Sequence, residues 1–105
     1  MGKLFTRWFA QIHVSLSLEW QLDTGGRIRA PPTVDRGMVF VAGDDHHVYA
    51  LDADTGGVEW QFETNDIIRH SPTASVDTVY IGSDDKTVYA LARSDGSVRW
   101  TFAAD

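Results

Sequence analysis

Ala50-Leu-Asp-Ala-Asp-Thr-Gly56-Gly-Val-Glu-Trp60 and Ala90-Leu-Ala-Arg-Ser-Asp-Gly96-Ser-Val-Arg-Trp100 are one phrase written twice, forty residues apart. Each copy ends on a tryptophan, and Trp20 stands another forty residues upstream. Laying residues 20–59 over 60–99 needs no gap and leaves 16 of 40 positions identical. Outside the phrase these include Thr24/Thr64, Ile28/Ile68, Arg29/Arg69, Pro32/Pro72, Asp44/Asp84 and Tyr49/Tyr89. The repeat is therefore a structural unit, and its period belongs to units built from several short strands.

Working outward from the phrase, each unit breaks into four apolar runs separated by turn residues. Ala30-Pro-Pro-Thr-Val34 is short and extended, because two prolines block a helix and remove ladder donors. Met38-Val-Phe-Val-Ala42 is apolar throughout, which suits a strand covered on both faces. Gly43-Asp-Asp-His46 is a turn, Val48-Tyr-Ala-Leu51 a third strand, and 52–57 a longer glycine-bearing turn. Val58-Glu-Trp-Gln-Phe-Glu63 alternates, predicting Val58, Trp60 and Phe62 inward and the residues between them outward. The second unit repeats the plan with 71–74, 78–82, 88–91 and 98–102.

These patterns predict an all-β chain of four-stranded antiparallel meanders stacked face to face as β-propeller blades. Residues 29–63 form one expected blade, and 64–103 a linker and a second. Residues 16–28 read as the last strand of a partial blade plus linker, and 1–15 as a segment outside the repeat. The expected content is thus two full blades and one extra strand.

The phrase resembles the tryptophan-docking motif of the PQQ-like (pyrroloquinoline-quinone type) propeller repeats: alanine, glycine six positions on, tryptophan four further. The second copy departs at Ala92, where the first has Asp52, and at Asp95, where the first has Thr55. The resemblance covers roughly 16–105. It implies that Trp20, Trp60 and Trp100 wedge between neighbouring blades, with Ala50, Gly56, Ala90 and Gly96 leaving room for the indoles. At ~25 cal/mol/Å², a tryptophan burying 150–250 Å² contributes up to roughly 4–6 kcal/mol before entropy is subtracted.

Propellers close with four to eight blades. Two blades cannot cover their own faces, so the chain is expected to self-associate, for example as four copies closing an eight-bladed ring. The near-identical units make its two ends complementary in a heterologous interface. The alternatives are a piece of a longer propeller, or a cap supplied by residues 1–15.

Fifteen acidic against nine basic residues leave a net charge of −6, which argues against a nucleic-acid or anionic-lipid binder. The absence of cysteine excludes disulfides, thiolate zinc sites and cysteine nucleophiles. No run of 18 apolar residues suggests a membrane-spanning helix. Lys3 is one signal-peptide feature, but Arg7, Gln11 and His13 interrupt the apolar stretch, so no leader is expected and the compartment stays open.

Few constellations carry chemistry. Asp44-Asp45-His46-His47 invites a metal reading, yet its counterpart is Asp84-Asp85-Lys86-Thr87, and hairpin-turn chemistry explains the aspartates without metal. Asp52-x-Asp54 lacks a calcium-loop continuation and its counterpart lacks both acids. His13 and His70 have no placeable nucleophile, and Gly25-Gly26 and Gly56-Gly57 read as turn pairs. Arg29 and Arg69 each precede the innermost strand, where a ring of repeats would gather them at a channel mouth as a crown for an anion or acidic peptide. The competing reading pairs each with a local acid such as Asp23 or Glu63.

By resemblance, the chain is a non-enzymatic binding module, of the kind found in barrel-assembly lipoproteins and in domains attached to signalling enzymes. Quinoprotein dehydrogenases use eight such blades around PQQ and calcium, but none of their cofactor residues is matched here, so no catalytic residue and no cofactor is expected. A purely structural or engineered repeat with no ligand is the third reading.

Overall fold

The computed structural model describes the backbone of residues 9–12 and 20–104, and side chains from residue 24 to 104. Ten strands follow one another: β1 (Phe9–Ile12), β2 (Trp20–Asp23), β3 (Thr33–Asp35), β4 (Met38–Ala42), β5 (His47–Asp52), β6 (Val58–Glu63), β7 (Thr73–Ala74), β8 (Thr78–Ser83), β9 (Thr87–Ala92) and β10 (Val98–Ala103). No helix forms among the described residues, so none is long and apolar enough to cross a membrane.

Two four-stranded antiparallel meanders result, β3-β4-β5-β6 (blade 1) and β7-β8-β9-β10 (blade 2). The short inner strands β3 and β7 follow the proline-bearing segments, where missing donors limit ladder length. A two-residue turn at Arg36-Gly37, both with positive φ, joins β3 to β4. The hairpins β4–β5 and β8–β9 turn through left-handed His46 and Lys86. There the backbone N–H groups of His46 and Lys86 donate to Gly43 O and Ser83 O at 3.2 and 3.0 Å.

The extra strand at the N-terminus has a partner. Residues 9–12, within the segment expected outside the repeat, pair with β2 so that Ile12 opposes Trp20 and Phe9 opposes Asp23. A lone β2 would leave both rows of backbone N–H and C=O groups unpaired, and β1 fills one row.

Strict alternation fails in β6. Register shifts between Ala50 and Leu51, so Ala50 opposes Trp60 while Leu51 opposes Val58, leaving Glu59 as an extra residue. The same bulge recurs between Val98 and Trp100. A bulge rotates the strand, so Trp60 is buried while Val58, expected inward, is exposed.

The core lies between the blades. Phe40, Ala42, Val48, Ala50 and Trp60 from blade 1 pack with Val79, Ile81, Tyr89 and Leu91 from blade 2, and Ile68 of the linker fills the gap. A second cluster, Val39, Val41 and Leu51, lies on the other face of blade 1 with Ile28, Tyr49 and Ala53 against it. The apolar run of β4 is therefore covered on both faces.

Candidate functional site: the blade junction and the open terminal face

The turn closing the phrase is built alike in both blades. Gly56 and Gly96 are left-handed, at φ 76° and 77°. Their N–H groups donate to Asp52 O and Ala92 O, each at 2.8 Å, and Asp52 N–H and Ala92 N–H donate to Gly57 O and Ser97 O. In blade 1 the Asp52 carboxylate accepts from Asp54 N–H and Thr55 N–H. Ala92 cannot do this; Asp95 stands at the place of Thr55, whose Oγ1 accepts from Gly57 N–H, and accepts likewise from Ser97 N–H and also from Ser97 Oγ–H. Those hydrogen bonds hold the Asp95 carboxyl below the usual carboxylate range. The departure at Asp95 thus keeps one turn contact, while the departure at Ala92 gives up the two that Asp52 makes.

Trp60 lies across the β9–β10 turn. A β-carbon on Gly96 would sit 2.5 Å from Trp60 Cε3 and 2.7 Å from Cδ2, so only glycine fits beneath the indole. The Trp60 Nε1–H donates to Arg93 O at 2.7 Å, satisfying the ring's one polar group. Trp60 is 7% exposed, and Phe40 packs at 6.2 Å between ring centroids. Phe62 meets Tyr89 edge-on at 5.3 Å.

Arg93 was not singled out by sequence reasoning, and it ties the two blades together. Its NH1 donates to Asp35 Oδ2 at 2.6 Å and Ser75 O at 3.1 Å, its NH2 donates to Asp35 O at 2.7 Å, and the guanidinium lies 5.2 Å from the Phe40 ring centroid. The side chain is 12% exposed. Its counterpart is Ala53, so the repeat offered no signal. Arg93 also lines a mixed-charge groove of about 450 Å³ with Met38, Glu59, Asp77 and Arg99. Closer to the inner strands, Ser71 Oγ–H donates to Pro31 O at 2.7 Å, and Thr33 Oγ1–H donates to Pro72 O.

The same face in blade 2 has no cover among the described residues. Trp100, opposite Ala90 as Trp60 is opposite Ala50, is 49% exposed, and Phe102 is 62% exposed. Tyr80 keeps its ring 6.0 Å from that of Trp100. Of the three predicted docking tryptophans, one is thus brought onto a glycine and one lies open. The side chain of Trp20 is outside the described residues.

Arg29 and Arg69 both face hairpin acids, Asp44 and Asp84, where a local acid such as Asp23 or Glu63 was expected; the side chain of Asp23 lies outside the described residues. Arg29 grips Asp44 with two bonds, Nε–H to Oδ1 at 2.7 Å and NH2 to Oδ2 at 3.0 Å, and Arg69 Nε–H donates to Asp84 Oδ2 at 2.6 Å. This hydrogen bond raises Arg29 and lowers Asp44 from their ordinary values, with smaller effects of Asp84 on Arg29 and of Arg69 on Asp44. Each pair thus feels the charge of the other.

The other repeated aspartate serves its hairpin. Asp45 accepts from His47 N–H and Tyr49 OH, as Asp85 does from Thr87 N–H and Tyr89 OH. Burial pushes the Asp85 carboxyl up, but its bonds from Tyr89, Asn65, Thr87 and Ser83 outweigh that and hold it low. Linker residues clasp the same hairpins: Asp44 N–H donates to Arg27 O at 2.8 Å and Asp84 N–H to Ile67 O at 2.9 Å. The Asp-Asp pairs thus have structural work in both units.

Comparison with known proteins places this geometry. A family profile described as outer membrane protein assembly factor BamB matches residues 9–104. Among solved structures, BamB from Moraxella catarrhalis superposes with a TM-score of 0.84 at 21% identity, over 93% of this chain and 30% of that one. A europium-containing methanol dehydrogenase gives 0.69 at 20% identity, over 81% and 19%. The quinohemoprotein alcohol dehydrogenase from Comamonas testosteroni gives 0.67 at 23% identity, over 73% and 13%. No curated protein sequence matches significantly. The chain spans less than a third of the length of each of these structures, and the likenesses establish a β-propeller fold. The chain belongs to the PQQ-like propeller-repeat family whose profile is described as BamB.

Proposed function

We propose that the chain is a non-enzymatic propeller module: a scaffold of blades that works by binding other protein surfaces and is completed by further blades. The observation that carries this is the pair of equivalent tryptophans, one seated on the next blade and one open. In this reading Trp60 with Ala90 and Gly96 docks the junction, and Trp20 with Ala50 and Gly56 does the same one unit earlier. An assembly role is supported by the BamB family match. Among the described residues no cluster at the junction pairs a nucleophile with a base, and the polar groups there go to backbone carbonyls, turn N–H groups and the Asp35 carboxylate.

Further blades can come from copies of the chain closing into a ring or from a longer propeller. The 93% coverage of this chain at TM-score 0.84, against 30% of BamB, supports the second source. Light scattering at micromolar concentration tests this: a ring gives a multiple of 11.7 kDa. Incubation with PQQ and calcium chloride tests the enzymatic alternative, because a quinone absorbance that stays with the protein would move the chain to the dehydrogenase scaffolds.

The Arg29–Asp44 and Arg69–Asp84 pairs remain the candidate anion site only if an anion displaces the aspartates. Titration with inorganic phosphate, read by the chemical shifts of the guanidinium Nε–H groups, measures this.

A further inference from the structure

The chain contains one Asp-Gly dipeptide, Asp95-Gly96, and it falls at the turn beneath the Trp60 ring. An aspartyl side chain reacts most readily with its own backbone when glycine follows, because no side chain shields the glycine nitrogen. In that reaction the Gly96 nitrogen attacks Asp95 Cγ. The Gly96 N–H proton and the O–H of the neutral carboxyl leave together as water, and a succinimide ring closes. Water then adds to either ring carbonyl. Opening at the former side-chain carbonyl restores aspartate; opening at the former backbone carbonyl leaves isoaspartate, with the chain running through Cβ and Cγ. The water lost in closure is regained in opening, so the net change is an isomerisation that needs no other reactant.

Both reacting groups are engaged while the turn is closed. The nucleophile, Gly96 N–H, donates to Ala92 O at 2.8 Å. The electrophile, the Asp95 carboxyl, accepts at Oδ1 from Ser97 N–H at 3.0 Å and from Ser97 Oγ–H at 2.7 Å. Those bonds favour the ionised form, and a carboxylate has no O–H to give up as water. Gly96 is also held in place: it is buried and left-handed at φ 77°, and even one added β-carbon would lie 2.5 Å from Trp60 Cε3. The peptide has no room on that side to swing its nitrogen toward Cγ. Asp95 itself is exposed, so water reaches the site. The equivalent turn in blade 1 carries Thr55-Gly56 and has no carboxyl to react.

We propose that Asp95 is a site of spontaneous conversion to isoaspartate, that the turn closed beneath Trp60 holds the reaction off, and that opening of the contact between the two blades releases it. Such an opening is a local unfolding event, with a population of its own below that of the closed state. The product does not return to the starting geometry. Isoaspartate lengthens the turn by one backbone atom and moves the free carboxyl from Cγ to Cα, so the Ser97 bonds and the position of Gly96 are both lost. A junction that has reacted therefore stays loosened, whatever the module binds.

The test ages the full chain in neutral buffer beside a free peptide spanning residues 91–101, and counts isoaspartate at position 95 by electron-transfer fragmentation in a mass spectrometer. The native chain is expected to react at least about tenfold more slowly than the peptide, because only its open fraction reacts. Trp60→Phe removes the bond to Arg93 O and part of the ring over Gly96, and should raise the rate toward that of the peptide. Val41→Ala weakens the cluster on the far face of blade 1 and should leave the rate near native. Asp95→Thr copies the blade 1 turn and should give no isomer. In the separated isoaspartate fraction, the Trp60 Nε1–H should exchange with deuterium faster than in the unreacted chain. A native rate equal to that of the peptide would overturn the protection. Equal acceleration by Val41→Ala and Trp60→Phe would assign the reaction to global unfolding and sink the link to the junction, as would a Trp60→Phe rate no faster than native. An Nε1–H that stays protected after the reaction would show that the junction recloses, against the proposal.

Discussion

Trp60 and Trp100 occupy the same place in two copies of one sheet, opposite Ala50 and Ala90, after the same bulge. One is 7% exposed and the other 49%. Place in the sheet and local backbone are therefore matched while the environment changes. The difference teaches that the phrase specifies a joint between blades, since its tryptophan reaches a low-exposure state only when the next blade brings its glycine and carbonyl.

The sharpest way to break that comparison is to truncate both rings. Trp60→Ala is expected to cost about 3–5 kcal/mol, the range for deleting a large buried aromatic. Trp100→Ala is expected to cost about 1 kcal/mol or less, as for a surface substitution. Urea melts of the two variants read the gap directly. Equal losses would mean that Trp60 stabilises its own blade and not the junction.

Gly96→Ala tests the seat from the other side. It adds left-handed strain and a clash with Trp60, together about 2–4 kcal/mol. Gly37→Ala is its control, because Gly37 is also left-handed, at φ 79°, but has open space where a β-carbon would go. That control should lose only about 1–2 kcal/mol. Thermal melts in which both alanines behaved alike would leave strain as the only effect and remove the steric seat.

Arg93 separates the blades by charge in place of shape. Arg93→Ala removes hydrogen bonds to Asp35 and Ser75 at a mostly buried site and is expected to cost about 1.5–3 kcal/mol. Arg93→Lys keeps the charge but loses the fork that reaches Asp35 Oδ2 and Asp35 O together, so it should recover only part of the loss. Full recovery by lysine would show that charge alone holds the contact.

Much of this was readable from the repeat. The strands, their order and the blade period follow from apolar runs, turn residues and the spacing of Trp20, Trp60 and Trp100, because each of those signals is local or periodic. The bulge at Glu59 was hidden, since alternation is blind to an extra residue that costs no apolar position. The pairing of β1 with β2 was hidden too: Phe9-Ala10 lines up with Tyr49-Ala50 in sequence, yet Ile12 takes the place opposite the tryptophan. Arg93 and the true partners of Arg29 and Arg69 depend on which turn lies against which linker. That is a tertiary fact with no period in the chain.

The paired hairpins give a smaller test. Asp44 and Asp85 sit below the ordinary carboxylate range, so the stability they contribute is present above about pH 4 and lost as pH falls through their folded values. The melting temperature should fall with pH in that acid window, and less steeply in Asp85→Asn, where an uncharged amide replaces the carboxylate that Tyr89 and two backbone N–H groups address. An unchanged slope would assign the acid loss to other groups.

The smallest effect belongs to the ion pairs. Arg29 meets Asp44 with two bonds and Arg69 meets Asp84 with one, and the arginine side chains are 35% and 51% exposed. Exposed pairs are individually weak, and two-bonded geometry makes the stronger of the two. In double-mutant cycles, Arg29→Ala with Asp44→Ala should therefore give the larger coupling, and both couplings should shrink as salt rises to about 1 M, where charges are screened within ~3 Å. Removing Arg69 should also weaken the Arg29–Asp44 coupling slightly, because the freed Asp84 charge then competes for Arg29. Couplings that are equal and insensitive to salt would show that these arginines act through packing of their stems, and the charge pattern repeated every forty residues would then have no electrostatic part in tying each linker to its hairpin.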